Sequence, residues 1–73
     1  QAALRQAFCA LWQRHSQDAL RETPDAGPIQ RVVERYCQGC SIPEIATGLN
    51  MADEEVRACL EKARKLLFEI LSP

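Results

Sequence analysis

Glycine, proline and aromatic side chains are all scarce in this chain: three, four and 5 % of its 73 residues. β-Branched residues are sparse as well. That shortage of turn formers and strand formers argues against sheet structure and for helices. No apolar run approaches the roughly 20 residues that span a bilayer, so no membrane contact is expected. The opening QAALRQAFCALWQ lacks the basic stretch that precedes the apolar part of a signal peptide. An initial glutamine in place of methionine is read as a piece of a longer protein. Charge of one sign is also lacking. The net charge is −1, whereas dedicated non-specific nucleic-acid binders are strongly basic. No nucleophile–base pair, glycine-rich phosphate loop or paired catalytic carboxylate is visible, and so small a domain has little room for a deep site. A non-enzyme without cofactor is expected.

What is present is apolar periodicity. Leu4, Phe8, Leu11 and His15, flanked by Ala7 and Trp12 and extended by Ala19 and Leu20, predict an amphipathic helix of about 20 residues. It ends at Thr23-Pro24, because a residue before proline avoids helical backbone. Asp25-Ala26-Gly27-Pro28 reads as a turn, with Pro28 at the first helical position. Ile29, Val32, Val33, Tyr36 and Cys37 then mark a second helix, capped by a left-handed Gly39. Ser41-Ile42-Pro43-Glu44 has the form of a capping box. Ile42, Ile45, Ala46 and Leu49 form the inner side of a third helix of about two turns, and Asn50 suits the left-handed turn after it. A fourth helix begins near Asp53. Val56, Cys59, Leu60, Ala63, Leu67 and Ile70 line its inner face. Glu54, Arg57, Ala58, Glu61 and Lys65 lie on the outer one. Leu66 and Phe68 fall outside the stripe and are expected to cover the first helix or face a partner. The fold class expected is all-α: one small four-helix domain over residues 1–73, with a helix-turn-helix at about 41–71.

Two segments carry a family likeness. Gln38-Gly39-Cys40-Ser41-Ile42-Pro43-Glu44-Ile45-Ala46-Thr47-Gly48-Leu49-Asn50-Met51 resembles the pattern x-G-L-S-x-x-E-I-A-x-x-L-G-I. Val56-Arg57-Ala58-Cys59-Leu60-Glu61-Lys62-Ala63-Arg64-Lys65-Leu66-Leu67 resembles V-K-S-R-L-H-R-A-R-K-x-L. Both are similar to region four of bacterial sigma factors, especially the extracytoplasmic-function group. Ala19-Leu20-Arg21-Glu22-Thr23-Pro24 resembles the A-L-x-x-L-P that precedes it, so the likeness covers roughly residues 19–71. LuxR-type domains share the E-I-A half and rarely the A-R-K half.

The resemblance implies a cytoplasmic transcription factor domain that reads the minus-35 promoter element and packs on the flap of the RNA polymerase core. Its partners would be promoter DNA and the polymerase, with an anti-sigma or other regulatory protein as a further one. The recognition helix would start at Asp53, with Glu54, Glu55, Arg57, Ala58, Glu61 and Lys62 facing the groove. Arg57, Lys62, Arg64 and Lys65 are the phosphate candidates, or else a solvated face of i, i+4 pairs such as Glu61 with Lys65. Ser41, Ile42 and Pro43 would lie at the start of the bracing helix, near phosphate. Two other readings stand beside this one: a sigma-like protein-interaction module with little DNA affinity, and a LuxR-like DNA-binding domain.

One departure from the family pattern bears on the choice. Where the family carries small or hydroxyl residues, this chain has Ala52-Asp53-Glu54-Glu55. Acids in a first helical turn are stabilised by the macrodipole at ~0.3–1 kcal/mol each. They could also deflect DNA or meet a basic protein partner, or accept from cytosine N4.

The four cysteines are Cys9, Cys37, Cys40 and Cys59. Cys37-Gln-Gly-Cys40 has ligand spacing, but a zinc site needs four ligands. Cys9, Cys59 and His15 have no second ligand nearby in sequence, so no metal is expected. Cys37 lies on an apolar stripe, and Cys40 stands where the family pattern has leucine. Free, buried core thiols in a reducing cytosol are therefore expected. His15 reads as a core or boundary residue and Trp12 as packing.

Overall fold

A computed structural model describes residues 2–72. Its elements are α1 (Ala2–Leu20), α2 (Ala26–Cys37), α3 (Ile42–Leu49) and α4 (Asp53–Leu71). No strand occurs among the described residues. The all-α, four-helix expectation is met.

Local chemistry accounts for the breaks. After α1, Thr23 Oγ1 donates to the Ala19 carbonyl at 3.2 Å, and the Thr23 N–H bonds the Leu20 carbonyl at the same distance. Pro24 follows and stops the helix. α2 starts two residues earlier than expected, so Pro28 is its third residue and not its first. The position is still free of cost, because N–H groups throughout the first turn lack an intrahelical acceptor. At the end of α2, Gly39 adopts φ +100°. The Cys40 N–H reaches back to the Arg35 carbonyl and the Gly39 N–H to that of Tyr36, both at 3.1 Å. These two bonds make a Schellman ending.

α4 packs against each of the other three helices, while α1 and α3 do not meet. The core holds Trp12, Ile29, Val32, Val33, Ile45, Val56, Leu60 and Leu67, with Ala19, Ala46 and Ala63 filling between them. Each large side chain buried in this way stabilises the fold by roughly 1.5–3 kcal/mol. Three of the four stripes face inward as their spacing predicts.

The α1 stripe is displaced. Leu4 is 74 % exposed, whereas Trp12, read as a flank, is 2 % exposed. Its indole Nε1 donates to Gln30 Oε1 at 3.1 Å, so the ring is packed with its polar tip satisfied. His15 lies at the boundary. Phe68 also stays outside, at 74 % exposure, while Leu66 packs against the core edge.

The cysteine expectation is overturned. Cys9 and Cys37 form a disulfide between α1 and α2, with Cα atoms 5.7 Å apart. Cys40 and Cys59 are free but only partly buried. Cys37 lies on an apolar stripe, as its spacing indicated, but at the stripe's rim, where Cys9 of the crossing helix meets it. With two thiols paired, the cysteines no longer argue for a reducing compartment. No described helix is long and apolar enough to cross a membrane.

Candidate functional site

The α3–α4 connection is built from the backbone outward. Asn50 takes φ 56° and ψ 49°, the left-handed conformation for which asparagine is among the few tolerant side chains. The Met51 N–H bonds the Ala46 carbonyl at 2.9 Å and the Asn50 N–H that of Thr47 at 3.4 Å. This repeats the Schellman pattern seen at Gly39. Only Met51 and Ala52 separate Asn50 from the first residue of α4, so the chain reverses sharply and α4 sets off in a new direction.

The first turn of α4 has an unusual cap. Ala52 offers no side-chain acceptor, yet Glu55 Oε1 accepts the Ala52 N–H at 2.9 Å. Only the glutamate half of a capping box is present. Asp53 and Glu54 add two more carboxylates beside these amides, where the helix dipole stabilises them.

α3 begins with the full box expected from its sequence. Ser41 Oγ accepts the Glu44 N–H at 3.3 Å, and the Ser41 N–H donates to Glu44 Oε1 at 2.7 Å. Hydrogen bonding from Ser41 holds the Glu44 carboxyl below its ordinary value, the backbone N–H contributing most and the hydroxyl next. Pro43 has no N–H. Of the donors in this turn, the Ile42 N–H alone is without a partner among the described residues. The α3 terminus therefore resembles an anion site whose place is taken largely by the chain's own carboxylate.

The remaining candidates stand on the uncovered side of α4. Glu54, Arg57, Ala58, Glu61, Lys62 and Lys65 are all exposed, opposite the buried Val56, Leu60, Ala63 and Leu67. Ser41, Pro43 and Glu55 are exposed as well. Lys62 sits toward the α1–α2 turn, with Nζ 4.0 Å from Asp25. The alternative Glu61–Lys65 pair is absent among the described ion pairs, which are Arg21–Asp18 and Lys62–Asp25. Lys65 and Arg57 are thus unengaged cations on the outer face.

Two features escaped sequence reasoning. The Arg35 guanidinium lies over α3, close enough that a Cβ on Gly48 would stand 2.8 Å from it. A glycine inside a helix was the available signal for such an approach. In addition, Asp25, Pro28, Ile29, Met51, Glu55, Cys59 and Lys62 line a cleft of about 310 Å³. Partial burial and then the Asp25 and Glu55 carboxylates push the Cys59 thiol up from its ordinary range. A thiol held protonated is a poor nucleophile. No three His, Cys, Asp or Glu side chains converge as metal ligands among the described residues.

No family model, curated protein or solved structure matches this chain. The sigma likeness accordingly stands on the sequence segments alone.

Proposed function

We propose that this chain is the promoter-recognition domain of a sigma-like transcription initiation factor, with α3, the Asn50 turn and α4 acting as a helix-turn-helix. The observation that carries the reading is the uncovered flank of α4 just beyond a sharp left-handed turn. In a helix-turn-helix the first helix crosses the DNA backbone and the second enters the major groove. Here α3 would brace through the Ile42 N–H. Arg57, Lys62 and Lys65 would meet phosphates. Glu54 and Glu61 would accept from cytosine N4. Leu4, Phe68 and Leu71, the exposed large apolar side chains, would supply apolar contact for RNA polymerase.

A specific observation favours a second reading, a sigma-like protein-interaction module. Glu44 and Glu55 occupy donors at the two helix starts, and Asp53 and Glu54 place further negative charge where phosphate would approach. A basic protein surface meets no such repulsion.

Binding to promoter duplexes at several salt concentrations tests both. On the first reading the domain binds one sequence preferentially at low salt. The double variant Arg57→Ala, Lys62→Ala then lowers the slope of log K against log salt by about two, roughly one for each phosphate no longer neutralised. Absence of sequence-specific binding at low salt, together with retained binding to polymerase or an anti-sigma protein, would select the second reading.

A further inference from the structure

The Cys9–Cys37 disulfide has no part in either reading, yet its placement is selective. Between Ala3 and Leu11 no α1 residue is buried; the core begins at Trp12. Besides the disulfide, this half-helix is held by Phe8 and Leu11 at the edge of the core, with Phe8 edge-on to the Tyr36 ring at 6.0 Å, and by the Arg5 guanidinium 4.1 Å from the same ring centre. Such partly buried edge contacts are weaker than full burial. Both bonded cysteines are partly exposed. An open groove lined by Trp12, Gln13, Ser16, Gln30 and Gln38 leads to Cys37.

We propose that Cys9–Cys37 is a thiol–disulfide exchange site whose substrate is a dithiol, and that the bond is a latch holding the N-terminal half of α1 against α2. One thiolate of the dithiol attacks a sulfur of the pair, the S–S bond breaks, and a mixed disulfide forms. The second thiolate displaces the protein sulfur and closes the reagent's own disulfide. Two electrons pass to the protein, and the two protons of the dithiol end on Cys9 and Cys37 Sγ. The freed half-helix then loosens from Tyr36, while the part of α1 beyond Trp12 stays in the core.

The experiment compares the full chain equilibrated in oxidised glutathione with the same chain reduced by dithiothreitol. Peptide mapping of the oxidised sample is expected to recover Cys9 linked to Cys37. Free thiols at both positions, or a Cys37–Cys40 link, overturns the proposal. Reduction is expected to lower the melting midpoint by on the order of 10 °C. Hydrogen exchange separates a latch from a merely stabilising bond. On reduction the amides of residues 6–11 should accelerate about tenfold relative to those of Val33, Ile45 and Leu60, as local release requires. An unchanged ratio, with all amides accelerating together, refutes the latch. Cys40→Ser with Cys59→Ser should keep the full response to dithiothreitol. Cys37→Ser should show the reduced pattern in both buffers, and wild-type reduction gives the same readout should that variant fold poorly.

Discussion

α1 and α4 are each 19 residues long, yet they are held in place by different means. α4 buries Val56, Leu60, Ala63 and Leu67 along a continuous stripe that touches every other helix. α1 fully buries only Trp12 and Ala19 among its described side chains, sets Phe8, Leu11 and Leu20 at the core edge, and adds point attachments: the indole bond to Gln30, the packing on Tyr36 and the bridge to Cys37. A stripe distributes its binding over three turns and tolerates the truncation of one side chain. Point attachments concentrate it, so the segment beyond the last buried residue stays in place only as long as its tether does. The helix that presents the candidate interface is the one fixed by its stripe. The helix whose N-terminal half meets the core only at its edge is the one that carries a covalent tether there.

Substitutions can break or sharpen this contrast. The largest loss is expected from Trp12→Ala, which removes the main anchor of α1 and should cost about 3–5 kcal/mol in denaturant unfolding. Leu60→Ala in the α4 stripe should cost roughly 2–5 kcal/mol, whereas Leu4→Ala should stay within about 0.5 kcal/mol. A Leu4→Ala loss comparable to that of Leu60→Ala would show that the N-terminal half of α1 is packed after all.

Smaller effects probe the turns that aim α3 and α4. Gly39→Ala should destabilise by about 1 kcal/mol, because φ +100° suits no L side chain although the space beside it is open. Gly48→Ala should act in the opposite direction. Its Cβ would meet only the mobile tip of Arg35, and alanine is favoured inside a helix by ~0.5–1 kcal/mol. Equal signs for the two would contradict the backbone assignment of one of them.

The smallest effect is a pH dependence. The Glu44 carboxyl is lowered in the folded state from an ordinary value of 4.5. A depressed carboxyl stabilises the fold above its unfolded pKa, and that contribution disappears as pH falls through the lower folded value. Glu44→Gln should therefore be less stable than wild type at neutral pH, with the gap closing below about pH 4.5. Melting curves between pH 7 and pH 3 check this, and a gap that does not change with pH would mean that the charge has no role.

Much of the helical layout was legible because its signals are local. Pro24, Gly39, the Ser41–Glu44 box and Asn50 act through hydrogen bonds only three to five residues long, so their positions in the chain suffice to place the ends of α1, α2 and α3. The uncovered flank of α4 was legible for the same reason, since helical period alone separates Arg57 and Glu61 from Val56 and Leu60. The engagement of Glu55 by the Ala52 N–H was less accessible. Alanine lacks the hydroxyl that usually announces a capping box, and the glutamate was read for groove contact instead.

The sequence by itself determined four helices, three of their inner faces and the reversal that separates α3 from α4, because each depends on backbone preferences and periodicity within one segment. Tertiary structure alone decided that α1 turns Trp12 and not Leu4 inward, that Cys9 meets Cys37, and that Arg35 lies over Gly48. Those outcomes depend on the angle and height at which one helix crosses another, and these are set by how side chains from distant segments fill a shared space.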